Sequence, residues 1–142
     1  FDWMHTLDRA KIAERLAAQR PAHKAPLQVC IQVNVDGGPT KSGVMPDEAL
    51  VLAQTVAALP QLRLRGVMSI PELAADYAAQ YALHQRARAV FDRIRGSGLS
   101  GLECFDTLSL GMTADLDAAI AAGSTLVRVG TGIFGGRQRP AP

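Results

Sequence analysis

The stretch "DTLSLGMTADLDAAIAAGSTLVRVGTG", residues 106–132, decides the fold. Its opening "DTLSLGM" reads as a short apolar strand that ends in glycine and methionine. Thr113 can cap a short helix through Ala122, Gly123 closes that helix, and "TLVRVG", residues 125–130, makes a second strand. A strand, a helix and a strand in such close succession imply parallel strands joined by a right-handed crossover.

The same alternation runs upstream. "FDWMHTLD", residues 1–8, is strand-like, and "DRAKIAERLAAQRP", residues 8–21, places Ile12 and Leu16 four apart on a helix, with Asp8 available as N-cap and Pro21 as a stop. "LQVCIQVNV", residues 27–35, is rich in β-branched residues without strict alternation, as expected of a strand covered on both faces. After the loop "DGGPTKSGVM", Pro46 followed by Asp47 and Glu48 opens a helix that ends around Leu59 and Pro60. "LRLRGVMSI", residues 62–70, is the next strand. The helix after it carries Tyr77, Tyr81, Ala87, Phe91 and Ile94 on one side until "GSGLSG" breaks it. The order βαβαβαβαβ, without linker or low-complexity segment, describes one α/β domain.

Two architectures share this pattern. A doubly wound sheet usually announces a nucleotide by a glycine-rich turn after its first strand, and neither G-x-G-x-x-G nor a Walker motif is present. A (β/α)8 barrel needs about 250 residues. The 142 residues here, opening at Phe1 in the middle of a strand pattern, therefore read as its C-terminal five strands. Residues 1–137 form that part of one barrel domain and 138–142 a tail.

Composition narrows the class of function. Fifteen Lys and Arg against thirteen Asp and Glu leave a net charge of +2, too even to indicate nucleic acid or a membrane surface. No stretch approaches the length of a membrane span, and no secretory signal is readable, so the expected location is cytoplasmic. Cys30 falls inside an apolar strand, where a free buried thiol is the usual occupant, so no disulfide with Cys104 is expected. Neither paired carboxylates, a Ser-His-Asp arrangement nor a metal-ligand spacing supports hydrolysis.

Barrels commonly bind phosphate with the loops after their last two strands. If "DTLSLGM" and "TLVRVG" are those strands, Thr113 offers a hydroxyl and an amide, while Gly130 and Thr131 offer amides that approach an anion closely. The plainer alternative is that Thr113 only caps a helix and the glycines only turn the chain. Arg128 interrupts an apolar strand beside this loop, either as a salt-bridged structural residue or as a cationic donor to a planar ring. Lys41 is a solvated loop lysine or a group near the same mouth. His5 and Asp8 end the first strand, and Ser69 follows the third.

"KSGV", "LRLRGVMSIP" and "DTLSLGMTADLDAAIAAGSTLVRVGTGIFG" resemble the C-terminal part of the pyridoxal phosphate homeostasis protein family, single-domain relatives of the alanine racemase N-terminal barrel. The likeness runs from Phe1 to about Arg137. It implies a (β/α)8 barrel of the alanine racemase N-terminal type that holds pyridoxal 5′-phosphate through a Schiff base. The implied role is to bind, buffer and deliver the cofactor in vitamin B6 and amino-acid homeostasis, without robust catalysis. By this resemblance Thr113 stands where the family usually has a phosphate-binding serine, Met112 lies beside the cofactor, and Gly130 and Thr131 supply phosphate donors. Arg128 matches an arginine directed at the pyridine nitrogen, where a cation weakens the ring as an electron sink. Lys41 approaches the ring's phenolic oxygen.

The family's Schiff-base lysine lies on the first barrel strand, and Lys11, Lys24 and Lys41, the only lysines, match no such motif. No catalytic residue is therefore expected in this chain, and its open sheet edge should be covered by the N-terminal segment or by another copy. Two other readings stay open: a pyridoxal-dependent racemase, whose second domain has no room before Pro142, and a phosphate-binding barrel acting on a sugar phosphate.

Overall fold

The computed structural model describes residues 3–36, 43–71 and 76–128. Five parallel strands lie side by side in chain order: β1 Trp3–Leu7, β2 Leu27–Gln32, β3 Leu62–Met68, β4 Thr107–Met112 and β5 Leu126–Arg128. Helices α1 Ala10–Gln19, α2 Ala49–Ala57, α3 Tyr77–Arg95 and α4 Leu116–Ala121 connect them, with one-turn 3-10 segments at Pro46–Glu48 and Thr113–Asp115. A doubly wound sheet reverses its strand order at a switch point, whereas here every strand neighbours its successor. That order belongs to a barrel wall, and five strands form about half of one.

The core lies between the sheet and the helices. Val29, Ile31, Leu64, Val67, Leu108 and Leu110 face Ala13, Ala53, Val56, Phe91 and Ile94, and Phe91 stacks on Phe105 with ring centroids 4.8 Å apart. In β2 the apolar residues Leu27, Val29 and Ile31 join this core, whereas Gln28, Cys30 and Gln32 alternate to the concave side. Alternation is thus present where none was expected, because a buried cysteine on the inner face reads as apolar. Inner-face coverage was expected correctly, since Cys30, Gln32 and Asn34 are all buried.

A bulge between Val29 and Cys30 leaves Arg65 without a partner in the register, so Leu64 and Val67, three apart, share the core face. Arg65 serves the N-terminal end of the sheet. Its guanidinium pairs with both oxygens of Asp106 at 2.9 and 3.1 Å, meets Gln28, and lies 4.7 Å above the Trp3 ring. Gly66 sits directly opposite Thr107, close enough that a Cβ would fall 1.6 Å from the Thr107 carbonyl oxygen.

Two expected caps differ. Asp8 does not cap α1, whose N-cap is Arg9 without a side-chain bond. Instead, Asp8 Oδ2 accepts the N–H of Gly43 at 3.1 Å, tying the end of β1 to the strand-like return after β2. Gly43 itself has φ +117° and would place a Cβ 2.8 Å from Asn34 N, which is why "KSGV" needs its glycine. Likewise the residue at the N-cap of the turn after β4 is Met112, not Thr113.

Candidate functional site

The C-terminal ends of β3, β4 and β5 converge through backbone groups. Ser69, one residue past β3, donates its N–H to the Ser109 carbonyl at 3.2 Å, and its own carbonyl accepts from Arg128 Nη2 at 2.8 Å. Arg128 is the last described residue of β5 and lies opposite Met112 at the end of β4. Of the residues expected at a binding site, the structure therefore brings Met112, the Thr113 backbone and Arg128 together at one end of the sheet. Lys41, Gly130 and Thr131 lie outside the described residues, as does the Thr113 side chain.

The β4–β5 pairing is irregular between Ser109 and Met112, and the residues after Gly123 compensate. Leu108 N–H donates to Thr125 Oγ1 at 2.8 Å and Leu110 N–H to Ser124 Oγ at 3.2 Å. The "GST" that reads in sequence as a turn thus completes the ladder with hydroxyls. Gly111 has φ +89°, and a Cβ there would come within 2.4 Å of the Ala119 methyl, so α4 rests directly on the end of β4.

Met112 N–H donates to Asp115 Oδ1 at 2.7 Å, while Asp115 Oδ2 lies 2.8 Å from Nε2 of His84 on α3. His84 is fully buried and its Nδ1 has no hydrogen-bond partner. Sequence reasoning missed both residues. The available signal was position: residue 84 falls on the same stripe as Ala87, Phe91 and Ile94, a place where a polar ring requires a partner.

Arg128 forms no ion pair with a carboxylate among the described residues, so the salt-bridge alternative for it is not what the described residues display. Its Nε and Nη1 are buried and unpartnered, as are the hydroxyls of Ser69 and Ser109. Burial works against the Arg128 charge and lowers its pKa, with Asp115 and then Cys30 opposing. The guanidinium remains a cation, since arginine starts so far above neutrality. His5, on β1, is held below its ordinary value of 6.5 first by burial and then by Arg128. Cys30 is pushed up to about 12, chiefly by burial, and so remains a thiol rather than a nucleophilic thiolate. Both cysteines are free, Cys30 buried and Cys104 partly exposed. Among the described residues no cluster of His, Cys, Asp or Glu could hold a metal, and no helix is long and apolar enough to cross a membrane.

Residues 1–138 match the family model for the alanine racemase N-terminal domain. A pyridoxal phosphate homeostasis protein of Pseudomonas aeruginosa is 51% identical over 142 residues, all of this chain and 59% of that relative. One from Escherichia coli is 48% identical over 138 residues, 97% of this chain and 57% of that relative. The chain thus spans rather more than half the length of these curated relatives. The structure of Synechococcus elongatus PipY with pyridoxal phosphate bound superimposes with a TM-score of 0.82 at 30% identity, over 95% of this chain and 61% of PipY.

Proposed function

The chain belongs to the alanine racemase N-terminal domain family, and from that membership we propose that it carries the phosphate-and-ring half of a pyridoxal 5′-phosphate seat. The observation that carries this reading is the state of Arg128. A half-buried Arg128 whose Nε and Nη1 are buried and unpartnered, on strand ends that also carry the unpartnered hydroxyls of Ser69 and Ser109, costs free energy until an acceptor arrives. An anionic cofactor with a ring nitrogen, a phenolic oxygen and a phosphate supplies such acceptors, so the donor set fits it.

In this reading Thr113, Gly130 and Thr131 take the phosphate, Met112 lies against the cofactor, and Lys41 reaches toward the phenolic oxygen. When bound, the cofactor supplies an aldehyde reactive toward amines and a pyridine ring that withdraws electrons. Arg128, facing the ring nitrogen as a donor, holds that nitrogen unprotonated and restrains the ring as an electron sink. A seat of this kind suits a protein that binds and delivers the cofactor, serving vitamin B6 and amino-acid homeostasis without robust turnover. Its relatives named for that role, in Pseudomonas aeruginosa and Escherichia coli, support the assignment. Free cysteines accord with a cytoplasmic setting. Further strands of the same barrel would pair with the outer edges of β1 and β5.

Arg128→Met tests the ring contact in the complete protein. The absorption band of bound pyridoxal 5′-phosphate should move while the cofactor is retained. An unmoved band would remove Arg128 from the ring.

A further inference from the structure

We propose that His84 is a positioning residue for the Met112–Asp115 turn, setting the preference of the seat for a phosphorylated ligand over its unphosphorylated counterpart. The inference rests on the pyridoxal 5′-phosphate reading above and adds to it a residue from outside the seat. His84 belongs to α3, on the helical layer, and is fully buried there. Its Nε2 lies 2.8 Å from Asp115 Oδ2, and the other oxygen of that carboxylate accepts the Met112 N–H at 2.7 Å. One carboxylate, with its side chain only 13% exposed, thus joins a fully buried imidazole to the backbone on which the turn begins.

The chemistry fixes the direction of the bond. A carboxylate only accepts, so Nε2 carries the hydrogen and donates, and this bond to Asp115 is the one polar contact the ring makes among the described residues, Nδ1 having no partner. A second contact from the same helix braces the other end of the segment. Arg88, one turn along α3, donates from Nη1 to the Ala122 carbonyl at 3.3 Å, at the far end of α4. α3 therefore grips the segment 115–122 at both ends, and Gly111 lets that segment sit against β4 without a side chain between them. Losing the His84 end frees the Asp115 carboxylate to rotate away from Met112, and the amides of the turn lose their fixed direction. Binding of a phosphate depends on that direction, whereas any change at the ring, which Asp115 reaches through the charge of Arg128, acts on the phosphorylated and unphosphorylated forms alike.

The test compares pyridoxal 5′-phosphate with pyridoxal in the complete protein, by absorption titration, for the unaltered chain and for His84→Leu, His84→Gln and Asp115→Asn. The unaltered protein should prefer the phosphorylated form. His84→Leu should reduce the ratio of the two affinities by roughly tenfold, the scale of one hydrogen bond to a charged group. His84→Gln, which returns an N–H donor near the Nε2 position, should restore the ratio. Asp115→Asn, at a less buried site, should lower it as His84→Leu does and decides the matter if His84→Leu does not fold. Thermal unfolding measured on the same samples separates the roles. A fall in stability with an unchanged ratio would make His84 a packing residue and overturn the proposal. No preference in the unaltered protein would overturn the underlying seat itself.

Discussion

Gly66→Ala should destabilise the protein by more than about 3 kcal/mol, beyond the ordinary range for overpacking a core. The added methyl would stand 1.6 Å from the Thr107 carbonyl oxygen, 2.5 Å from its carbon and 3.0 Å from its Cα. All three atoms are backbone of the neighbouring strand, so no rotamer change relieves the contact. β3 and β4 would have to separate at the one place where Gly66, Val67 and Met68 pair with Thr107, Leu108 and Ser109. The effect reaches the site, because Ser69 and Ser109 lie on those strand ends. Gly98→Ala is the control: its φ of +79° imposes a local cost of about 1–2 kcal/mol, and nothing lies within 4 Å of the new methyl. Chemical denaturation of both variants checks the comparison. Similar losses for the two would mean that β3 and β4 approach less closely than described.

Replacing Thr113 and Thr131 together with valine should weaken binding of pyridoxal 5′-phosphate by roughly 1–3 kcal/mol, or about 5- to 150-fold. Valine keeps the branched shape at each position and removes only the hydroxyl, so the loss reports hydrogen bonding to the phosphate. Thr113 opens the 3-10 turn immediately after Met112, where the end of β4 meets that of β5. Thr131 follows three residues after Arg128. Pyridoxal, which lacks the phosphate, should bind the double variant as it binds the unaltered protein. Equal affinity of the variant and the unaltered protein for the phosphorylated cofactor would remove both hydroxyls from the seat.

The element order was legible because Pro, Gly and the change of hydrophobic period punctuate this sequence at nearly every junction. Pro46 opens its 3-10 turn, Gly123 follows α4, and the strands "LRLRGVM" and "TLSLGM" stand where the pattern places them. Arg128 was legible as an anomaly, a cation in an apolar strand. Long-range pairing was hidden. Asp8 has the residue type and position of a helix cap, yet its partner is Gly43, brought near by the return of the chain after β2. Thr113 has the type of an N-cap as well, but Asp115 takes the Met112 amide first, with a charged acceptor already braced by His84.

His84 illustrates a further limit. One polar residue in the buried stripe of a long helix does not disturb its amphipathic pattern, and its partner lies on another element 31 residues away. Gly66 is similar. Its glycine reads as a weak strand position, and only the approach of β4 turns it into a requirement. Local chemistry therefore indicated which residues mark the strand ends, while the contacts that hold those ends in place emerged only with the fold.

The most direct test of the seat is to load the complete protein with pyridoxal 5′-phosphate, reduce with borohydride, and locate the lysine adduct by peptide mass. Lys11 and Lys24 are both exposed, Lys11 on the first turn of α1 in the helical layer and Lys24 in the segment before β2. The predicted result is one stoichiometric adduct on a lysine outside residues 1–142, with none on Lys11, Lys24 or Lys41. An adduct on any of those three, or no adduct at all, would contradict the assignment of this chain to the phosphate-and-ring half of the seat.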